Sequence, residues 1–152
     1  MHRKISYIRN LEIIEKELNN SSGGLLAFNV DGEKVIQLLT TFLYLDKNIY
    51  FFLDKEDEIY EKLNLNSLAS FTIIKDEKLK KSKVKESSYY LFSVTIMGPL
   101  KIVDEAKTIE DVKNRYLTKY SMKKTGDSKS SHLKELLMIY SEEIQAVEEL
   151  GA

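Results

Sequence analysis

With 152 residues, 43% of them hydrophobic and 31% charged, the chain has the make-up of one ordinary globular domain, long enough to bury about two-thirds of its unfolded surface. Lysine and arginine number 23 against 24 acids, so there is no global field to draw in nucleic acid or an anionic membrane. The chain has no cysteine, which excludes disulfides, thiolate metal sites and a cysteine nucleophile. No run approaches the roughly 18 to 20 apolar residues of a membrane helix, and the N-terminus lacks the pattern of a secretory signal, so a cytoplasmic protein is expected.

Tyr7, Leu11, Ile14 and Leu18 recur at helical spacing with charged residues on the other faces, which predicts an amphipathic helix closed by Asn19-Asn20-Ser21-Ser22-Gly23-Gly24. Residues 25–30 and 35–45 flank Asp31-Gly32, a pair that supplies the positive φ angles of a tight hairpin turn. Residues 49–53 follow the polar turn Asp46-Lys47-Asn48 and continue the meander. Residues 55–65 carry Ile59, Tyr60 and Leu63 at near-helical spacing, a short helix across a barrel end, and residues 68–74 form the next strand. The segment 75–88 has six lysines against three acids and reads as a polar hairpin tip.

Residues 89–103 alternate as a long strand, with a bend or break expected at Gly98-Pro99, where glycine permits a bulge and proline removes a ladder donor. Thr108 and Asp111 have the spacing of a capping pair for a helix with the stripe Ile109, Val112, Tyr116 and Tyr120. After a polar loop at 121–131, Leu133, Leu136, Leu137, Tyr140, Ile144 and Val147 share one helical face, which predicts a final helix. The expected whole is a single mainly β domain over 1–152 with flanking helices: an N-terminal helix in 1–22, a barrel core in 23–104 and C-terminal helices in 105–152. A small closed or split barrel fits five or six antiparallel strands best, with an open α+β sheet as the alternative.

Residue chemistry alone assigns no catalytic group and no metal site. The acids at 54–58 read as a solvated helix N-terminus rather than a site for a hard cation. The lysine-rich segment lacks interleaved aromatics that could stack on bases, so no nucleic-acid partner is expected. His132 is the only internal imidazole, the sole candidate for a haem ligand or general base, and its polar neighbours suit a surface residue. There is no serine-histidine-acid spacing, phosphate-binding glycine loop or HExxH. Nine tyrosines and six phenylalanines fall largely on strands, as core or as an interface between copies.

The order of these segments resembles the pyridoxamine 5'-phosphate oxidase-like FMN-binding split-barrel family over residues 23–120. It is carried by strand, Asp-Gly turn, long strand, FLYLDKNIYFF, a short helix ending Leu63-Asn64-Leu65-Asn66, LASFTII, SVTIMGPLKIVDEA and a helix ending Thr118-Lys119-Tyr120. The resemblance implies a six-stranded antiparallel Greek-key split barrel, a homodimer with FMN between the subunits, and a flavin-dependent oxidoreductase acting on a small molecule. The family also has haem-binding relatives and members without a known ligand, so haem, or a binding module without flavin, are the alternatives. Leu39, Thr40 and Thr41 match the segment that lines the ring. The family holds the phosphate with a basic residue near the start of the second strand, where Lys34 is the nearby cation. A second, Arg-Lys or Ser-Lys pair opens the short helix, and Glu58 and Ile59 stand there, leaving Lys55 and Lys62 as the nearest cations. A carboxylate at about 4 Å from a phosphate repels it by roughly 4 kcal/mol at an effective dielectric near 20.

Overall fold

The alternating residues 89–102 form one uninterrupted strand, β7 (Tyr89–Ile102), from which the sheet is built outward on both edges. The structure, a computed structural model, describes residues 3–30, 34–77, 89–122 and 134–151. Along one edge of β7 lie β6 (Leu68–Glu77), then β2 (Gly24–Val30), then β3 (Lys34–Thr40). The other edge is shared. Residues 89–97 pair with β9 (Glu143–Gly151), which carries β1 (Arg3–Ile8) outside it. Residues 100–102 pair instead with β8 (Lys134–Ile139), which leads to β5 (Asn48–Asp54) and β4 (Leu43–Leu45). All pairs are antiparallel and the sheet does not close, so the fold is a split barrel. Its flanking helices are α1 (Leu11–Asn20), α2 (Glu58–Lys62) and α3 (Ala106–Lys119).

The fork in the sheet falls at Gly98-Pro99. The strand neither breaks nor stops there; it exchanges one partner for another. A Cβ on Gly98 would overlap the carbonyl of Tyr140, so only glycine lets the β8–β9 turn sit on β7. That turn is fixed by the Tyr140 N–H donating to Pro99 O at 3.1 Å and the Glu142 N–H donating to Met97 O at 2.9 Å.

Two apolar layers hold the branches together. Phe28, Phe51, Phe71, Ile96 and Leu137 meet in the barrel interior, closed by Ile14 and Leu18 of α1, whose start is capped by Asn10 accepting from the Glu12 and Ile13 N–H groups. On the other side of the β4–β5–β8 branch, α3 lays Ile109, Val112 and Tyr116 against Leu43, Tyr50 and Leu136. Strand β8 is therefore apolar on both faces, Leu137 facing one layer and Leu136 the other.

That double burial explains the largest departure from the sequence reading. The helix expected from Leu133 to Val147 is instead the strand pair β8 and β9. Consecutive buried leucines satisfy a helical template as well as a strand buried on both sides. Pairing decides the outcome, since β7 would otherwise expose an unpaired edge along nine residues. Among the described residues the C-terminal part of the chain thus holds one helix and two strands. Tyr7, read as the first residue of the N-terminal helix, lies in β1 opposite Val147, and α1 starts at Leu11. Nine strands are present among the described residues: the five read from the sequence become six because residues 35–45 divide into β3 and β4, and β1, β8 and β9, not foreseen, add three. Helix α3 begins at Ala106, ahead of the expected Thr108 cap. The Asp31-Gly32 turn, most of the lysine-rich segment and His132 lie outside the described residues.

Replacing Gly98 with alanine should cost about 3 kcal/mol, because the atom in the way is backbone and cannot rotate aside. A thermal melt should fall by roughly 10 °C. An unchanged melting temperature would mean that the β8–β9 turn does not press on β7.

Candidate functional site

Between β3 and β4 the chain crosses from one branch of the sheet to the other in two residues, Thr41 and Phe42. A crossing leaves backbone groups without ladder partners, and the last turn of α3 supplies them. The Phe42 N–H donates to the Tyr120 hydroxyl at 3.0 Å, and that hydroxyl donates in turn to Ser22 O at 2.7 Å. The Lys119 ammonium donates to Phe42 O at 2.8 Å and sits 3.6 Å from the centre of the Phe42 ring. Tyr116 bonds the Thr41 hydroxyl and packs edge-on against Phe52, ring centres 5.2 Å apart. The Phe42 ring itself is fully buried, 4.7 Å from Phe71. Burial pushes the Tyr116 phenol up to about 12, with Tyr120 adding to it, and pulls Lys119 down to about 8.

Beside this crossing lies an open groove of about 520 Å³, lined by Gly23, Gly24, Leu25, Leu39, Thr40, Thr41, Thr72 and Ile74. Its volume is within the range of small-molecule sites. No charged side chain lines it; Leu39 is 78% and Ile74 65% exposed, and the threonines bring hydroxyls. The Thr40 hydroxyl donates to Thr41 O at 3.1 Å and keeps its lone pairs for a ligand N–H. Gly24 brings β2 close enough to Phe71 that a Cβ would overlap the ring.

Of the residues singled out in the sequence, Leu39, Thr40 and Thr41 do gather in one groove. The three lysines do not. Lys34 opens β3, six residues from Thr40 and so about 20 Å along the strand. Lys55 is ion-paired with Glu135 at 3.0 Å. Lys62 closes α2 and is exposed. At the other end of α2 the Asp57 carboxylate accepts the Ile59 N–H at 3.0 Å, and that of Asp54 accepts the Glu56 N–H at 2.9 Å. The residues therefore suit an uncharged flat ring and do not suit its phosphate. Among the described residues no three histidine, aspartate or glutamate side chains gather as a metal site, and no helix is long and apolar enough to cross a membrane. The reading missed the roles of Tyr116, Lys119 and Tyr120. One signal was available, a lysine set between two tyrosines of an otherwise apolar helical stripe.

No family model matches the chain, and no curated protein is matched by its sequence. Solved structures do match it. A candidate 5-nitroimidazole antibiotic resistance protein from Bacteroides thetaiotaomicron superposes with a TM-score of 0.85 at 12% identity, over 99% of this chain and 90% of that one. An FAD and heme binding protein from Mycobacterium smegmatis gives 0.69 at 15% identity, over 94% and 72%. A candidate pyridoxamine 5'-phosphate oxidase from Corynebacterium glutamicum gives 0.61 at 19% identity, over 95% and 98%. The chain has the split-barrel fold of pyridoxamine 5'-phosphate oxidase-like and flavin-binding proteins, and the resemblance read from its motifs holds at the level of fold.

The half-buried Lys119 gives a pH signature. Between about pH 8 and pH 10 the unfolded chain holds its proton and the folded chain has lost it, so unfolding takes up a proton and stability rises with pH. The phenols of Tyr116 and Tyr120 are raised and act in the opposite sense, but only above about pH 10, where the unfolded chain begins to lose their protons. The urea midpoint should therefore climb from pH 8 to pH 10 and stay flat in Lys119→Met. A flat profile in the unaltered protein would mean that the ammonium titrates in its ordinary range.

Proposed function

We propose that the groove at Thr40 and Thr41 holds a flavin ring and that a second copy of the chain covers it, making a homodimeric flavin-dependent oxidoreductase for a small-molecule substrate. The observation that carries this reading is the chemistry of the outer sheet face. The register puts positions 35, 37 and 39 of β3, 25, 27 and 29 of β2, 68 to 74 of β6 and 91 to 97 of β7, at alternate residues, on one side. None of these fourteen is charged, in a chain where 31% of residues are; acids enter only at the margin of this face, Asp76 and Glu149 paired with Leu91 and Glu143 paired with Met97. A broad uncharged face around an uncharged groove suits a covered surface better than a solvated one. A bound flavin would supply the electron transfer, and the protein would bind and orient it through Thr40, Thr41 and the apolar walls of Leu25, Leu39 and Ile74.

The solved structures support the reading only as kin in fold, some of them described as binding FAD, or FAD and heme. Haem has less to rest on in this chain, which has only two histidines, His2 and His132. A binding module without flavin is the second reading, favoured by the acids around α2.

Two measurements test the proposal. Protein incubated with a flavin and desalted should carry absorbance bands at about 370 and 450 nm, and should sediment at the mass of two chains at micromolar concentration. A colourless protein would favour the second reading. Sedimentation at the mass of one chain would remove the covered groove.

A further inference from the structure

Thr41 lines the groove already described and Leu43 lines a second one, of about 450 Å³, with Phe42 between them in the chain. The other walls of the second groove are Asn19 at the end of α1 and Asn114, Arg115, Thr118 and Lys119 of α3. Positions 114 and 118, like 115 and 119, are one helical turn apart, so the four share one side of α3. Charge separates the two grooves. The first has no charged side chain in its walls, whereas the second has two bases and no acid. Arg115 is already paired, with Asp111 at 3.0 Å, and both side chains are more than half exposed. Lys119 is half-buried and differs: its ammonium donates to Phe42 O and lies against the Phe42 and Tyr120 rings, and among the described residues no carboxylate pairs with it. Burial without a counter-charge is what pulls that group down to about 8. An ammonium has three N–H donors, and the carbonyl takes one.

We infer that the second groove binds a small organic acid as its carboxylate, with the Lys119 ammonium as counter-charge. The site is separate from the flavin reading and does not depend on it. Lys119, Arg115 and Asp111 together carry one positive charge, which matches a monoanion and leaves a phosphate dianion in excess. Leu43, nearly buried, offers an apolar contact, and Asn19 and Asn114 offer amides. The Thr118 hydroxyl donates to Asn114 O at 3.0 Å and keeps its lone pairs for a ligand donor. Around the ammonium, α3 itself brings the Tyr120 phenol and Arg115, while α1 and β4 bring to the groove Asn19 and Leu43, which carry no charge. A bound carboxylate would therefore meet one unpaired cation, hold its proton in place and keep the Phe42 clamp charged.

The test is titration of the full chain with benzoate, its neutral counterpart benzamide and inorganic phosphate, followed by the shifts of backbone amide resonances. Benzoate should perturb Leu43, Asn114 and Thr118, with benzamide and phosphate each about tenfold weaker. Between about pH 7 and pH 9 the affinity for benzoate should fall about tenfold, since the share of chains with Lys119 protonated falls by that factor around a midpoint of about 8. Lys119→Met should remove both the pH dependence and the preference for benzoate over benzamide. Asp111→Asn leaves the clamp untouched, because Asp111 is exposed and bonded only to Arg115, and should tighten benzoate about threefold. Benzamide matching benzoate, an affinity flat across that pH range, weaker benzoate binding in Asp111→Asn, or no benzoate binding at millimolar concentration would each overturn the inference. Phosphate matching benzoate would overturn the assignment of a carboxylate.

Discussion

Phe42 is fastened in three ways at once, and the split of the barrel depends on it. Its N–H goes to Tyr120, its C=O takes Lys119, and its ring fills the core against Phe71. Without those partners the crossing from β3 to β4 would bury two backbone groups unpaired, each at about 1–3 kcal/mol. The clamp solves that problem with the last turn of one helix. It also determines where Thr41 stands, because Tyr116, on the same turn, bonds the threonine hydroxyl. The candidate groove is a consequence of this arrangement: its wall is the strand end that the clamp immobilises.

A second constraint acts at Gly98 of β7. There the β8–β9 turn presses on β7 and divides its edge between two partners. The two forks are complementary. At Phe42 the chain itself changes branch, and at Gly98 a continuous strand is shared by both. Together they give an open, two-branched sheet with an apolar layer on each side of the β8 branch.

How much of this could be read from the sequence follows from the kind of signal each element carries. Residues 25–30 and 89–102 alternate cleanly, and both are strands. Gly98-Pro99 marked a special position, though not the exchange of partners that takes place there. Residues 134–147 were misread because Leu136 and Leu137 serve two cores, a pattern in which helix and doubly buried strand look alike. Arg3 to Ile8 is too short and too charged to announce a strand; it is one because β9 offers it an edge. Leu39, Thr40 and Thr41, singled out through the order of motifs, share one groove. Lys34, Lys55 and Lys62 were chosen for nearness in sequence; strand geometry carries Lys34 away, Lys55 is held by Glu135, and Lys62 closes α2. The clamp was not legible, because Tyr116 and Tyr120 read as ordinary apolar stripe and Lys119 entered only as part of the helix end Thr118-Lys119-Tyr120.

Amide hydrogen exchange at Phe42 tests the central role of the clamp most directly. In the unaltered protein the Phe42 N–H should exchange on the slow timescale of the β6–β7 ladder, since it is buried and bonded to Tyr120. In Tyr120→Phe that one amide should lose its protection, about ten- to a hundredfold for the 1–3 kcal/mol of a lost buried partner, while the β6–β7 amides keep theirs. Equal protection of Phe42 in both proteins would contradict the clamp, and with it the account of how the barrel is split.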